Sequence, residues 1–136
     1  MQLLMQYLVI GLGGALGSML RFGLGSFIDS NVQKGGSPFS WGTIIVNITG
    51  CFVIGFIWAI SASEGRILLS SYTRSFILIG ILGGYTTFSS FGLQTFLLVQ
   101  ANQRWEAAAN VLISVVLCLL GVWLGAMLAG AINQMR

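Results

Sequence analysis

Gly83-Gly84-Tyr85-Thr86-Thr87-Phe88-Ser89-Ser90-Phe91-Gly92 interrupts an otherwise apolar run, and seven of its ten residues are Gly, Ser or Thr. If the run from Ser75 to Val99 crosses a bilayer, adjacent glycines followed by a threonine pair favour a helix broken near mid-membrane. Irregular backbone at that depth is tolerated only where it is buried in protein or lines a cavity. A break would free carbonyls able to hold a cation and a half-helix N-terminus able to face an anion. A packing kink is the plainer alternative. A β-branched residue at Gly83 is expected to resist the irregular backbone.

The rest of the chain supplies the bilayer. Of 136 residues, 56% are hydrophobic and 7% charged, and the mean hydropathy is +0.91. A soluble domain carries charge on roughly a quarter of its residues, so a soluble enzyme is excluded. A net charge of +3 spread along the chain makes no basic stripe for nucleic acid. Four apolar stretches, about Leu3 to Ile28, Trp41 to Ser61, Ser75 to Val99 and Trp105 to Ile132, each exceed the ~20 residues that span a hydrocarbon core. The expected fold is an all-α membrane protein, one domain of four transmembrane helices over residues 1–136. Asp29 to Ser40, Ala62 to Arg74 and Gln100 to Arg104 read as loops, with Ser40 as N-cap of the second helix. Met1 to Gly11 lacks a basic n-region and a small-residue cleavage site, so the first stretch reads as a retained helix. Histidine is absent and Cys51 and Cys118 lie in apolar runs, which excludes zinc and histidine chemistry and a disulfide framework. Nineteen glycines point to helices packed backbone to backbone.

With alternating helices, Arg66, Arg74 and Arg136 fall on one side, and Arg21, Lys34 and Arg104 on the other. Three against three gives no orientation by the positive-inside rule. Either the signal is lost in a small sample, or the chain inserts both ways and pairs as an antiparallel dimer.

At 100° per residue, Gly11, Gly14, Ser18, Arg21 and Gly25 share one face of the first helix. Arg21 either snorkels or pairs structurally, or it attracts anions to a pathway mouth. On the second helix Thr43, Asn47, Gly50 and Cys51 cluster, and Asn47 there is interhelical glue or an ion donor. The fourth helix offers Asn110, Ser114 and Cys118, continued by Gly121 and Gly125, a track that close packing also explains. Phe88 and Phe91 lie beside the third helix's polar centre. Their rings are core filler or lipid-facing, or they turn electropositive edges towards a small anion.

These residues resemble the Fluc (CrcB) fluoride channels. The likeness spans the chain and rests on Gly14 to Arg21 (GALGSMLR), Gly42-Thr43-Ile44-Ile45-Val46-Asn47 and Gly83 to Phe91. It implies an antiparallel, dual-topology homodimer with two pores in the cell's inner (plasma) membrane. That dimer would export cytoplasmic fluoride passively and relieve its toxicity. Asn47 would donate to fluoride, Phe88 and Phe91 would form ring-edge sites, and Ser89, Ser90 and Ser114 would belong to the polar track, with Arg21 matching the family's helix 1 arginine. The carbonyls of Gly83 and Thr86, from both subunits, would hold a structural or regulatory sodium ion at the dimer interface. Two departures stand out: Gln94 occupies a position where relatives often have glutamate, and the fourth helix carries Asn110 and Cys118 around Ser114. No catalytic group is visible. A small dual-topology proton-coupled drug exporter is the alternative function, but such transport wants an intramembrane carboxylate, and Asp29, Glu64 and Glu106 sit at helix ends or in loops. A non-conducting scaffold would leave Asn47 and Phe88 replaceable.

Overall fold

The computed structural model describes residues 1–32, 39–62 and 67–135. Lys34, Pro38, Glu64, Arg66 and Arg136, three of them cations in the charge comparison, lie outside the described residues. Helix α1 runs Gln2–Val32, α2 Trp41–Ile60, α3 Ser71–Arg74, α4 Leu82–Tyr85, α5 Phe88–Gln100 and α6 Arg104–Gln134, with a π-helical stretch Ser75–Ile81 joining α3 to α4. Four segments, Gln2–Val32, Trp41–Ile60, Ser71–Gln100 and Arg104–Gln134, are long and apolar enough to cross a membrane.

The helix ends depart from the sequence reading where polar side chains serve the backbone. α1 continues past Ile28 because the Ser30 hydroxyl and the Asn31 amide donate back to the Phe27 carbonyl, at 2.9 and 2.7 Å. The third segment begins at Ser71 instead of Ser75, since the Ser70 hydroxyl accepts from Thr73 N–H at 3.1 Å and caps the first turn. Ser40 caps α2, accepting from Thr43 N–H at 3.1 Å. Between α5 and α6 the chain turns at Asn102, whose φ of 59° an asparagine adopts readily.

Glycines set how the segments meet. Gly13 of α1 meets Gly80, Gly14 meets Gly84, and Gly17 lies against the backbone of Ile81 and Tyr85, so small residues on both segments let the backbones touch. A Cβ on Gly13 would stand 2.6 Å from the Phe76 carbonyl oxygen, and one on Gly17 would strike that of Ile81. The α2–α6 seam repeats the device, with Gly55 against Val122 and Gly125 against Phe52. Ile44, Val46, Leu98 and Asn110 are fully buried, whereas Leu12, Phe22, Leu119 and Trp123 are exposed. An apolar exterior around a thin core suits a multi-pass membrane protein.

Candidate functional site

Between α4 and α5, Thr86 and Thr87 have extended backbone, with φ, ψ of −83°, 154° and −149°, 115°. Gly83 and Gly84, the residues whose composition first marks this stretch, are helical. The extended pair is held from α2: Thr87 N–H donates to Asn47 Oδ1 at 2.8 Å, and Asn47 Nδ2 donates to the Thr87 carbonyl at 3.1 Å. A carboxamide offers the same donor and acceptor as a peptide group, so Asn47 pairs with Thr87 as a neighbouring strand would. Both residues are buried, where an unpaired peptide group would be costly. Asn47 has two amide hydrogens, and this pairing uses one.

The diverted donors have a consequence upstream. In a continuous helix the Gly83 carbonyl would accept from Thr87 N–H and the Thr86 carbonyl from Ser90 N–H. Here Thr87 N–H goes to Asn47, and Ser90 N–H goes to Thr87 Oγ1 at 3.2 Å, capping α5. The Ser89 and Ser90 hydroxyls gather on the same Thr87 Oγ1, at 3.2 and 3.1 Å.

Two cavities meet at Thr87. One, of about 300 Å³, is lined by Asn47, Thr86, Phe88, Phe91, Ser114 and their neighbours, none of them charged. The Ser114 Oγ is buried without a hydrogen-bond partner. Phe91 is 9% exposed and Phe88 81%; their ring centroids are 5.2 Å apart with planes tilted by 47°. The other cavity, of about 330 Å³, is polar and includes Ser18, Arg21, Thr43, Thr87, Ser90 and Gln94. Arg21 therefore faces a cavity that reaches Thr87. Ser89 is exposed and borders neither cavity, and nor does Gly83.

Other polar residues are structural partners: the sequence reading singled out Gln94 and Asn110 without their partners and gave Asp29 no pairing role. Asp29 accepts from Gly42 N–H and from the Ser40 hydroxyl, each at 2.8 Å, fastening the end of α1 to the start of α2. Its spacing from the capping Ser40 was the available signal. Gln94 donates to Thr43 Oγ1 at 2.7 Å, a bond an ionised glutamate could not donate, and its Oε1 is buried without a partner. Asn110 donates to Thr95 Oγ1 at 2.8 Å, across the α5–α6 seam, and does not border the Phe88 cavity.

The family model described as CrcB-like protein, Camphor Resistance (CrcB), matches residues 8–126. The chain is 45% identical over 132 residues to the fluoride-specific ion channel FluC of Methylocella silvestris, covering 97% of this chain and 98% of that protein. Proteins of the same name from Opitutus terrae and Rhodospirillum rubrum are 47% and 48% identical over 130 residues, covering 96% of this chain and 96% and 98% of their own lengths.

Proposed function

Because the chain belongs to the CrcB family, matched over residues 8–126, we propose that it is a fluoride-selective channel through which cytoplasmic fluoride leaves passively, limiting its toxicity. In a chain so similar to fluoride-specific channels, the reading is carried by one observation: Asn47, Phe88, Phe91 and Ser114, drawn from α2, α5 and α6, line one uncharged cavity. It conducts an ion and catalyses no reaction.

Fluoride is small and strongly hydrated, so a pathway must replace water with donors without trapping the ion. The spare amide hydrogen of Asn47 and the unpartnered Ser114 hydroxyl supply such donors, and Phe88 and Phe91 add electropositive ring edges. A constriction fitted to fluoride would suit the larger chloride poorly. Arg21, in the polar cavity on the other side of Thr87, raises the local anion concentration at the entrance while leaving the narrow part uncharged. Ser90 continues the polar track at the cap of α5, and Ser89, outside both cavities of the single chain, would join it only against a second copy. The membrane potential, negative inside, drives the anion out across the plasma (inner) membrane.

The working unit in this reading is an antiparallel, dual-topology homodimer. Gly83, Phe88 and Ser89 are exposed in the middle of a segment long enough to span the bilayer, and polar backbone there needs protein or water over it. A second copy inserted the opposite way would cover these exposed residues on either side of the extended pair at mid-membrane. The Gly83 and Thr86 carbonyls, deprived of their helical donors, fit a sodium ion shared between two copies. Such an ion would supply the positive charge those oxygens lack; calcium would normally recruit carboxylates. A proton-coupled exporter is disfavoured because Asp29 spends both oxygens on the start of α2 and Glu106 lies in the first turn of α6.

Fluoride efflux from liposomes containing the purified protein, with chloride as the comparison ion, tests the function. Rapid fluoride efflux with negligible chloride efflux is expected, and equal or absent efflux of both would overturn it. Phe88→Ile should lower fluoride flux by about tenfold or more, a loss of about 1.4 kcal/mol in the barrier, with normal dimer yield. Replacing sodium exhaustively by a large organic cation should lower the dimer's melting temperature. At a sodium concentration roughly 100-fold above Kd the ion contributes about 2.7 kcal/mol. An unchanged melting temperature under conditions allowing exchange would remove the sodium site and leave the fluoride pathway standing.

A further inference from the structure

The chain's two cysteines, Cys51 of α2 and Cys118 of α6, are free thiols that the fold sets side by side. The glycine seam is responsible: a Cβ on Gly121, one turn past Cys118, would stand 3.6 Å from the Cys51 Cβ. Cys51 therefore packs on α6 within one turn of Cys118. Both line the cavity that holds Ser114, whose buried, unpartnered Oγ lies one turn before Cys118 on the same helix face. Two thiols and an unsatisfied hydroxyl thus line one pocket, with Phe88, Phe91, Val115 and Leu119 among its apolar walls and Asn47 and Thr87 at its polar side.

We propose that Cys51 and Cys118 form a chelating site for a thiophilic divalent ion that prefers two ligands, of which mercuric ion is the representative, and that its occupation obstructs the cavity. Charge selects this class. A mercuric ion replaces two thiol protons: two S–H bonds break, two Hg–S bonds form, both protons leave to water, and nothing is oxidised. The product is neutral, as the two thiols were. A monovalent soft ion such as silver replaces only one proton if the site is to stay neutral, leaving the second sulfur as a thiol, a weaker ligand than a thiolate. Zinc wants four ligands, and among the described residues no three His, Cys, Asp or Glu side chains group together. The Ser114 hydroxyl adds a weak oxygen contact.

The binding half is independent of the channel reading; the obstruction half rests on it. Purified protein is loaded with mercuric chloride, washed with excess monothiol, and assayed for bound mercury and free thiols. Wild type should retain one ion per chain with both thiols blocked, because the second sulfur acts at high effective concentration. Cys51→Ser and Cys118→Ser, with Cys51→Ala as a second variant in case either serine misfolds, should each retain at least about tenfold less after the same wash. Two ions per chain, or single variants that hold mercury as firmly as wild type, would overturn the chelate. In liposomes, one equivalent of mercuric ion should suppress wild-type fluoride efflux and leave any residual efflux of Cys51→Ser unaffected. Undiminished efflux from mercury-loaded wild type would overturn the obstruction, whereas absence of fluoride efflux before any mercury is added would indict the channel reading instead.

Discussion

Asn47→Ala is expected to reduce fluoride flux per folded protein by about 100-fold, equivalent to about 2.7 kcal/mol in the barrier. Two losses combine. The substitution strips both partners from the buried Thr87 peptide groups, and a buried donor or acceptor left unpaired costs about 1–3 kcal/mol. Thr87 cannot recover them by becoming helical without pulling its hydroxyl off the cap of α5. The cavity also loses the spare amide hydrogen assigned to fluoride. Asn47→Asp separates the two effects. A carboxylate still accepts from Thr87 N–H, so the extended backbone keeps half its support, but it donates nothing and places a negative charge in an anion path. Flux should therefore vanish in Asn47→Asp while more thermal stability survives than in Asn47→Ala. If the folded Ala variant carries wild-type flux, Asn47 is a clamp alone and leaves the pathway.

What could be foreseen from the sequence depends on the range of the interaction. Four apolar stretches are visible because span length is local, and Ser40 announces itself because a cap acts three residues away. The polar faces of Ser18 and Arg21, and of Asn47 with Cys51, follow from helical period, and each pair borders a cavity. The location of the extended residues was harder to see. Composition drew attention to the glycine pair and the threonine pair together, and only the threonines, Thr86 and Thr87, are extended, while Gly83 and Gly84 are helical. Which residues leave the helix is decided by a carboxamide 40 positions earlier that pairs with Thr87, and no local propensity reports that. Asp29 was hidden similarly, since its partners Ser40 and Gly42 lie beyond the turn. Gln94 was noticed as a departure, and only its bond to Thr43, 51 positions away, shows that an amide there makes a contact of its own.

Adjacent glycines give the second large effect, with opposite expectations. Gly84→Ala should collapse the yield of folded protein, because its Cβ would stand 2.5 Å from the Gly14 carbonyl oxygen and 3.0 Å from the Gly14 Cα. Those atoms are α1 backbone and cannot rotate away, so the seam must open; forced overpacking costs about 1–3 kcal/mol where the surroundings can yield, and more where two helices must separate. Opening it also breaks the Ser18 hydroxyl's contact to the Gly84 carbonyl, at 3.5 Å. Gly83→Ala should leave the fold of the chain intact, since the nearest atom to its Cβ is the Leu78 carbonyl oxygen at 3.9 Å. The same room corrects the expectation that valine at Gly83 clashes with irregular backbone, because the residue is helical. The check is thermal denaturation in detergent together with the oligomeric state. A Gly83→Ala chain that folds with normal helix content but fails to dimerise would place a second copy against that exposed face. If Gly84→Ala melts like wild type, α1 and α4 do not approach this closely.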